Sequence, residues 1–149
     1  MTVTKAGLES SLKEAMRSGD TVLKNTLRMV LSAIRLVEVE KGKPIDEQGL
    51  VAILHKEVKS RRESIADAQR AGRADLVSAS EAEIHILEEF LPKSLSPEEL
   101  ESLARQAIAE AGAVSVREMG QVMKLLMPRL QGRVTGDQAS QVVRRLLGA

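Results

Sequence analysis

Apolar residues recur at three- and four-residue steps along nearly the whole chain, the spacing that lines one face of a helix. Leu8, Leu12 and Ala15/Met16 predict a first helix, closed by Ser18-Gly19. Asp20 is placed to cap a long second helix, whose seam runs Leu23, Leu27, Val30, Ile34, Val37. Lys41-Gly42-Lys43-Pro44 stops it with a basic last turn, then glycine, then proline. Asp46 can cap a third helix with Val51, Leu54, Val58 and Ile65 inward, ending near Ala71-Gly72. A fourth helix runs to Phe90 with Ile86, Leu87, Phe90 and Leu91 as its apolar end. The only strand-like alternation, Val37-Glu38-Val39-Glu40, is too short to outweigh the seam around it.

Leu91-Pro92-Lys93-Ser94-Leu95-Ser96-Pro97 interrupts the period with two prolines and marks a hinge or domain boundary. Beyond it, Ser96 caps a fifth helix, Pro97 takes its first position and Glu99 closes a capping box. Leu100, Leu103, Ala107 and Ile108 face inward there, and Gly112 ends the helix. Ser115-Val116-Arg117-Glu118 repeats the capping-box pattern ahead of a seam of Val116, Met119, Met123, Leu126 and Leu130. After the turn Gly132-Arg133-Val134-Thr135-Gly136, Asp137 can cap a last helix carrying Val142, Val143, Leu146 and Leu147. The pattern predicts an all-α protein: a four-helix N-terminal domain over 1–92, then a small three-helix domain over 96–149.

Composition narrows this further. Of 149 residues, 43% are hydrophobic, yet Phe90 is the sole aromatic, so the cores must be aliphatic. A sandwich or barrel relying on aromatic packing is disfavoured, as are the stacking platforms of single-strand nucleic-acid binders. Charged residues at 29% beside so many apolar ones argue against disorder. With no cysteine, disulfides, thiolate metal sites and a cysteine nucleophile are all excluded. The longest apolar run, Leu50-Val51-Ala52-Ile53-Leu54, is far too short for a membrane span. The first twenty residues mix acids and bases without an apolar signal core. A cytoplasmic protein with no membrane partner is the expectation.

Chemistry is hard to find. His55 and His85 lie thirty residues apart, and neither has a neighbour that completes a zinc motif. The chain carries no nucleophile elbow and no Walker lysine loop. Ser10-Ser11-Leu12-Lys13 sets a serine three residues before a lysine, a spacing that arises readily by chance on an amphipathic helix. The adjacent Glu88 and Glu89 point about 100° apart on a helix, unlike a dyad meeting across a cleft. No catalytic residue, metal site or cofactor is expected.

The net charge, 22 basic against 21 acidic residues, hides an asymmetry. Residues 96–116 sum to −3, whereas 117–149, with Arg117, Lys124, Arg129, Arg133, Arg144 and Arg145, sum to +4. At helical spacing Arg117, Gln121 and Lys124 share a face with Gly120, away from the methionine seam. A glycine inside a helix costs about 1 kcal/mol, which close approach of another backbone would offset, whether a packed helix or a nucleic-acid strand. A second basic stretch, from Lys56 to Arg73, puts Arg61 or Arg62 where the seam from Val58 to Ile65 needs a residue. Such a side chain would snorkel along apolar surface to reach a carboxylate or solvent.

Several segments match a known pattern. Phe90-Leu91-Pro92, Met119-Gly120-Gln121-Val122-Met123-Lys124-Leu125-Leu126-Met127-Pro128, Gly132-Arg133 and Gly136 closely resemble the YqeY-like family. Leu27-Arg28-Met29, Lys59-Ser60-Arg61-Arg62-Glu63-Ser64 and Ala71-Gly72-Arg73-Ala74-Asp75-Leu76 resemble its N-terminal half. The family's C-terminal unit is similar to the tail domain of GatB, a subunit of the glutamine-dependent amidotransferase acting on Glu-tRNA(Gln) or Asp-tRNA(Asn). That resemblance implies a helical module associated with tRNA. GatB's catalytic cradle and the serine–lysine glutaminase have no counterpart here. The implied function is therefore a non-catalytic, tRNA-binding accessory protein, with an amidotransferase or an aminoacyl-tRNA synthetase as a further partner. Arg117, Gly120, Lys124, Arg133 and Gly136 carry over as RNA-facing candidates, and the basic segment adds Arg129. The alternative is a helical protein–protein adaptor that binds no RNA.

Overall fold

The computed structural model describes residues 3–148; residues 1, 2 and 149, at the outer ends of the two expected domains, lie outside the described residues. Seven α-helices follow in order: α1 Lys5–Ser18, α2 Thr21–Lys41, α3 Glu47–Arg70, α4 Ala74–Phe90, α5 Pro97–Ala111, α6 Met119–Leu130 and α7 Gly136–Leu146. A single 3₁₀ turn, Val116–Glu118, precedes α6, and there is no strand among the described residues. Contacts divide the chain into a unit ending at Pro92 and a unit beginning at Lys93.

In the first unit the expected caps form. Asp20 accepts the Leu23 N–H at 3.1 Å and Asp46 accepts the Gly49 N–H at 2.7 Å. Gly42 closes α2 with a φ of 67°, a left-handed conformation that costs glycine little. The core buries Leu8 of α1, Leu27, Val30 and Ile34 of α2, Leu50, Leu54 and Val58 of α3, and Ile84 and Leu87 of α4. Val37 and Ile65 pack at its margin. Arg61 fills the gap in the α3 seam and is 5% exposed. Its Nε donates to Glu83 of α4 at 2.9 Å and another nitrogen donates to Glu57 at 2.5 Å. The third nitrogen reaches the Met29 sulfur of α2 at 3.4 Å. One guanidinium thus ties three helices together.

The second unit starts from the predicted capping box: Ser96 Oγ accepts the Glu99 N–H and the Glu99 carboxylate accepts the Ser96 N–H. Leu100, Ala104 and Ala107 of α5 meet Val122, Leu126 and Leu130 of α6 and Ala139 and Val143 of α7, with Val134 sealing the turn. Three alanines without exposed surface let these helices approach closely.

Two local expectations are corrected. Ser115 makes no side-chain cap, because the Glu118 N–H donates to the Ser115 carbonyl at 3.1 Å, and the Glu118 carboxylate takes the Val114 N–H at 3.3 Å instead of reaching back to Ser115. The pattern there yields a 3₁₀ turn, so Val116 and Arg117 precede α6 rather than belong to it. Thr135, not Asp137, caps α7, in a reciprocal capping box with Gln138.

Candidate nucleic-acid interface

The 3₁₀ turn separates the proposed RNA-facing residues into distinct settings. Arg117 is exposed on the turn and has no ion pair among the described residues. It lies outside α6, so the shared helical face expected for Arg117, Gln121 and Lys124 does not exist as drawn. Gly120, Gln121, Lys124 and Pro128 do recur at steps that keep them on one side of α6, and all four are exposed. A Cβ added at Gly120 would meet no heavy atom within 4 Å, so no packed helix requires the glycine. Lys124 is without an ion pair among the described residues. Pro128 has no N–H, which leaves the Lys124 carbonyl without its usual partner four residues on. This part of α6 therefore offers open backbone and a cation without an ion pair among the described residues.

Arg129 and Arg133 are differently placed. Each is about two-thirds covered, with 33% of the side chain exposed. Arg129 pairs with Glu110 of α5; this bond holds the Glu110 carboxyl below the usual carboxylate range and raises the guanidinium. Arg133 Nε donates to the Lys93 carbonyl at 2.9 Å, and another of its nitrogens lies 3.8 Å from Glu99. Glu101 receives both Arg105 at 2.7 Å and Arg145 at 3.1 Å, and its carboxyl is lowered by these bonds in that order. The negative α5 segment and the positive segment after it largely neutralise each other within the unit. Among the described residues, Arg117, Lys124 and Arg144 of this segment have no ion pair, and Arg144 is not one of the RNA-facing candidates read from sequence. Gly136 opens α7, and a Cβ there would touch the Met127 methyl at 3.6 Å. Met127 is itself 42% exposed, so Gly136 borders the outward side of α6.

Elsewhere, His85 Nε2 lies 3.2 Å from Glu89 Oε1, with both side chains exposed. No three His, Asp or Glu residues gather as a metal site among the described residues. No helix there is long and apolar enough to cross a membrane.

Residues 5–147 match the family described as Yqey-like protein. The chain is 29% identical over 146 residues, 95% of its length, to "Altered inheritance of mitochondria protein 41, mitochondrial" of Pyrenophora tritici-repentis, covering 80% of that protein. It is 37% identical over 87 residues to the protein of the same name from Lachancea thermotolerans, and 40% over 86 residues to that of Kluyveromyces lactis. Those two matches take in 58% and 57% of this chain and 46% of each yeast protein, a little under half. The mitochondrial naming of these relatives overturns the cytoplasmic expectation. That expectation rested on the missing apolar signal core, which bears on secretion and not on organelle import.

Proposed function

Since this chain belongs to the Yqey-like protein family, we propose that it is a non-catalytic accessory protein that binds tRNA through its second unit, in amidotransferase-linked or other tRNA handling. The observation that carries this reading is the open side of α6. Gly120 admits a close backbone, Lys124 is uncompensated, and Arg117 and Arg144 add free positive charge. Structured RNA is recognised largely through shape, phosphates and 2′-hydroxyls, so a lone aromatic is no obstacle. From Lys93 onward the chain carries eight basic and six acidic residues, an excess of two, so attraction is local to these cations and moderate in strength. Arg129, Arg133 and Gly136 support the surface from within: two staples on α5 and its flank, and a close approach of α7 to Met127.

The test is simple because the chain has no Trp or Tyr and absorbs almost nothing at 280 nm. Protein purified without nuclease should carry a 260 nm absorbance that nuclease treatment removes, with tRNA recovered from the bound fraction. Protein free of nucleic acid from the outset, and unable to bind added tRNA, would contradict the proposal.

A further inference from the structure

α2 carries a second set of apolar residues away from its buried seam, engaged within the unit at the Met29 sulfur, which Arg61 reaches. Opposite the buried seam stand Val22, Met29 and Leu36, seven residues apart, with Val39 three further on; they are 47%, 54%, 62% and 74% exposed. Seven-residue steps drift only about 20° on a straight helix, so Val22, Met29 and Leu36 make one stripe roughly 21 Å long at 1.5 Å per residue, and Val39 lies about 60° round from its C-terminal end, toward Arg35. A helix needed only to cover its own core would be polar there. Asn25 and Ser32 fill the intervening steps, completing a pattern with the period of a coiled-coil seam.

Charge borders this stripe on one side. Lys24, Arg28 and Arg35 follow each other at steps of four and seven, and none has an ion pair among the described residues. At its C-terminal end the stripe borders a shallow, mostly open cleft lined by Lys5, Arg35, Glu38, Val39, Lys43 and Pro44. The cleft's only carboxylate is already committed. Glu38 accepts from Lys5 Nζ at 2.7 Å and from the Ile45 N–H at 2.9 Å. Glu38 also feels the Arg35 charge, but neither Arg35 nor Lys43 makes an ion pair of its own among the described residues.

We propose that this stripe is the docking site for an acidic amphipathic helix of a partner protein. Its apolar residues, at alternating steps of three and four, would cover Val22, Met29, Leu36 and Val39. Its carboxylates would face Arg28 and Arg35 and reach into the cleft toward Lys43. A second copy of this chain fits poorly. Two antiparallel stripes would bring the Arg28/Arg35 borders together; two parallel ones would pair Arg35 with Glu40 but set Arg28 against the uncharged Ala33, with polar Asn25 and Ser32 at the seam. A bare phosphate backbone would leave the four apolar side chains uncovered. One helix on such a stripe buries less than the roughly 800 Å² per partner of a standard interface, so micromolar affinity is expected. The proposal does not depend on RNA binding by the second unit.

The experiment uses the full chain and fluorescence anisotropy of a labelled three-heptad peptide, with Leu at its seam positions and Glu at the flanks. A matched peptide carries Lys in place of Glu. The acidic peptide should bind at micromolar concentration. Leu36→Asp, or Arg28→Glu with Arg35→Glu, should each weaken it by on the order of tenfold. The double reversal should gain affinity for the basic peptide. All three positions are exposed, so the melting temperature should hold and loss of fold would not be the cause. Absence of binding by the acidic peptide overturns the proposal, as does binding indifferent to these substitutions. A concentration-dependent dimer abolished by Leu36→Asp, without peptide binding, would assign the stripe to a second copy. Loss of tRNA binding in the double reversal, again without peptide binding, would assign the border to RNA.

Discussion

Arg61 illustrates what a single residue contributes to the first unit. Its removal would leave Glu57 and Glu83 facing a gap in the packing between α3 and α4. Fully buried pairs lose about 3–5 kcal/mol when one partner goes. Here the two carboxylates keep 19% and 34% of their exposure, so water relieves part of the penalty. Arg61→Ala should cost about 2–4 kcal/mol in a urea titration. Arg61→Lys should restore little, since one ammonium cannot span two carboxylates and a thioether. A loss below about 1 kcal/mol would show that the trio contributes little to stability. The sequence announced a basic residue in the seam between Val58 and Ile65, with Glu57 one turn before it, but its second carboxylate partner, on α4, is 22 residues away and no local pattern could name it. Gly120 makes the opposite case. With open space where a Cβ would go, Gly120→Ala should leave the thermal midpoint unchanged or raise stability by up to about 1 kcal/mol. Destabilisation would restore the packing role that the structure removes.

Among the helices, α5 concentrates the acid sensitivity. Glu99 is held below its ordinary range first by the Ser96 N–H of the capping box, Glu101 first by Arg105, and Glu110 first by Arg129. A carboxyl lowered in the folded state binds fewer protons there than in the unfolded chain. Its contribution is therefore complete above the unfolded value of about 4.3 and is lost as pH falls through the folded values. Thermal midpoints should be flat from neutral pH to about 5 and then fall modestly, because these carboxylates remain substantially exposed. Glu110→Gln should lower the plateau slightly and make the acid limb shallower; an unchanged limb would mean that the Arg129 pair adds no stability. The capping box that starts α5 was legible because Ser96, Pro97 and Glu99 act within one turn. The same signature at Ser115 misled, because Glu118 found a competing N–H on Val114. A four-residue motif cannot rank those two donors. Lys124 read correctly as outward, whereas the pairing of Arg129 and Arg133 depends on where α5 and its flank lie.

On the scale of the whole chain, the link between α4 and α5 is short. Leu91 packs on the first core and Leu95 on the second, and Arg133 holds the Lys93 carbonyl. Trypsin should cut after the exposed Lys93, faster in Arg133→Ala, and the C-terminal fragment should keep a cooperative helical melt. A random-coil fragment would contradict an independent second domain, a demanding test for a unit under 60 residues. The two prolines flanking this link made the boundary readable; the internal neutralisation of charge was not, since it joins residues up to 44 apart. That neutralisation changes the central expectation for RNA. Four phosphate contacts would have been counted from sequence; Arg129 and Arg133 are now engaged, leaving Arg117 and Lys124 as the free cations nearest Gly120. The decisive measurement is the salt dependence of tRNA affinity for the parent chain and for Lys124→Glu. At about 0.9 per contact, the parent should show a log–log slope near −2, roughly a tenfold loss between about 50 and 200 mM salt. Lys124→Glu should bind more weakly with a slope nearer −1 and an unchanged melting temperature; equal affinity and equal slope in the two proteins would contradict the assignment of this surface to tRNA.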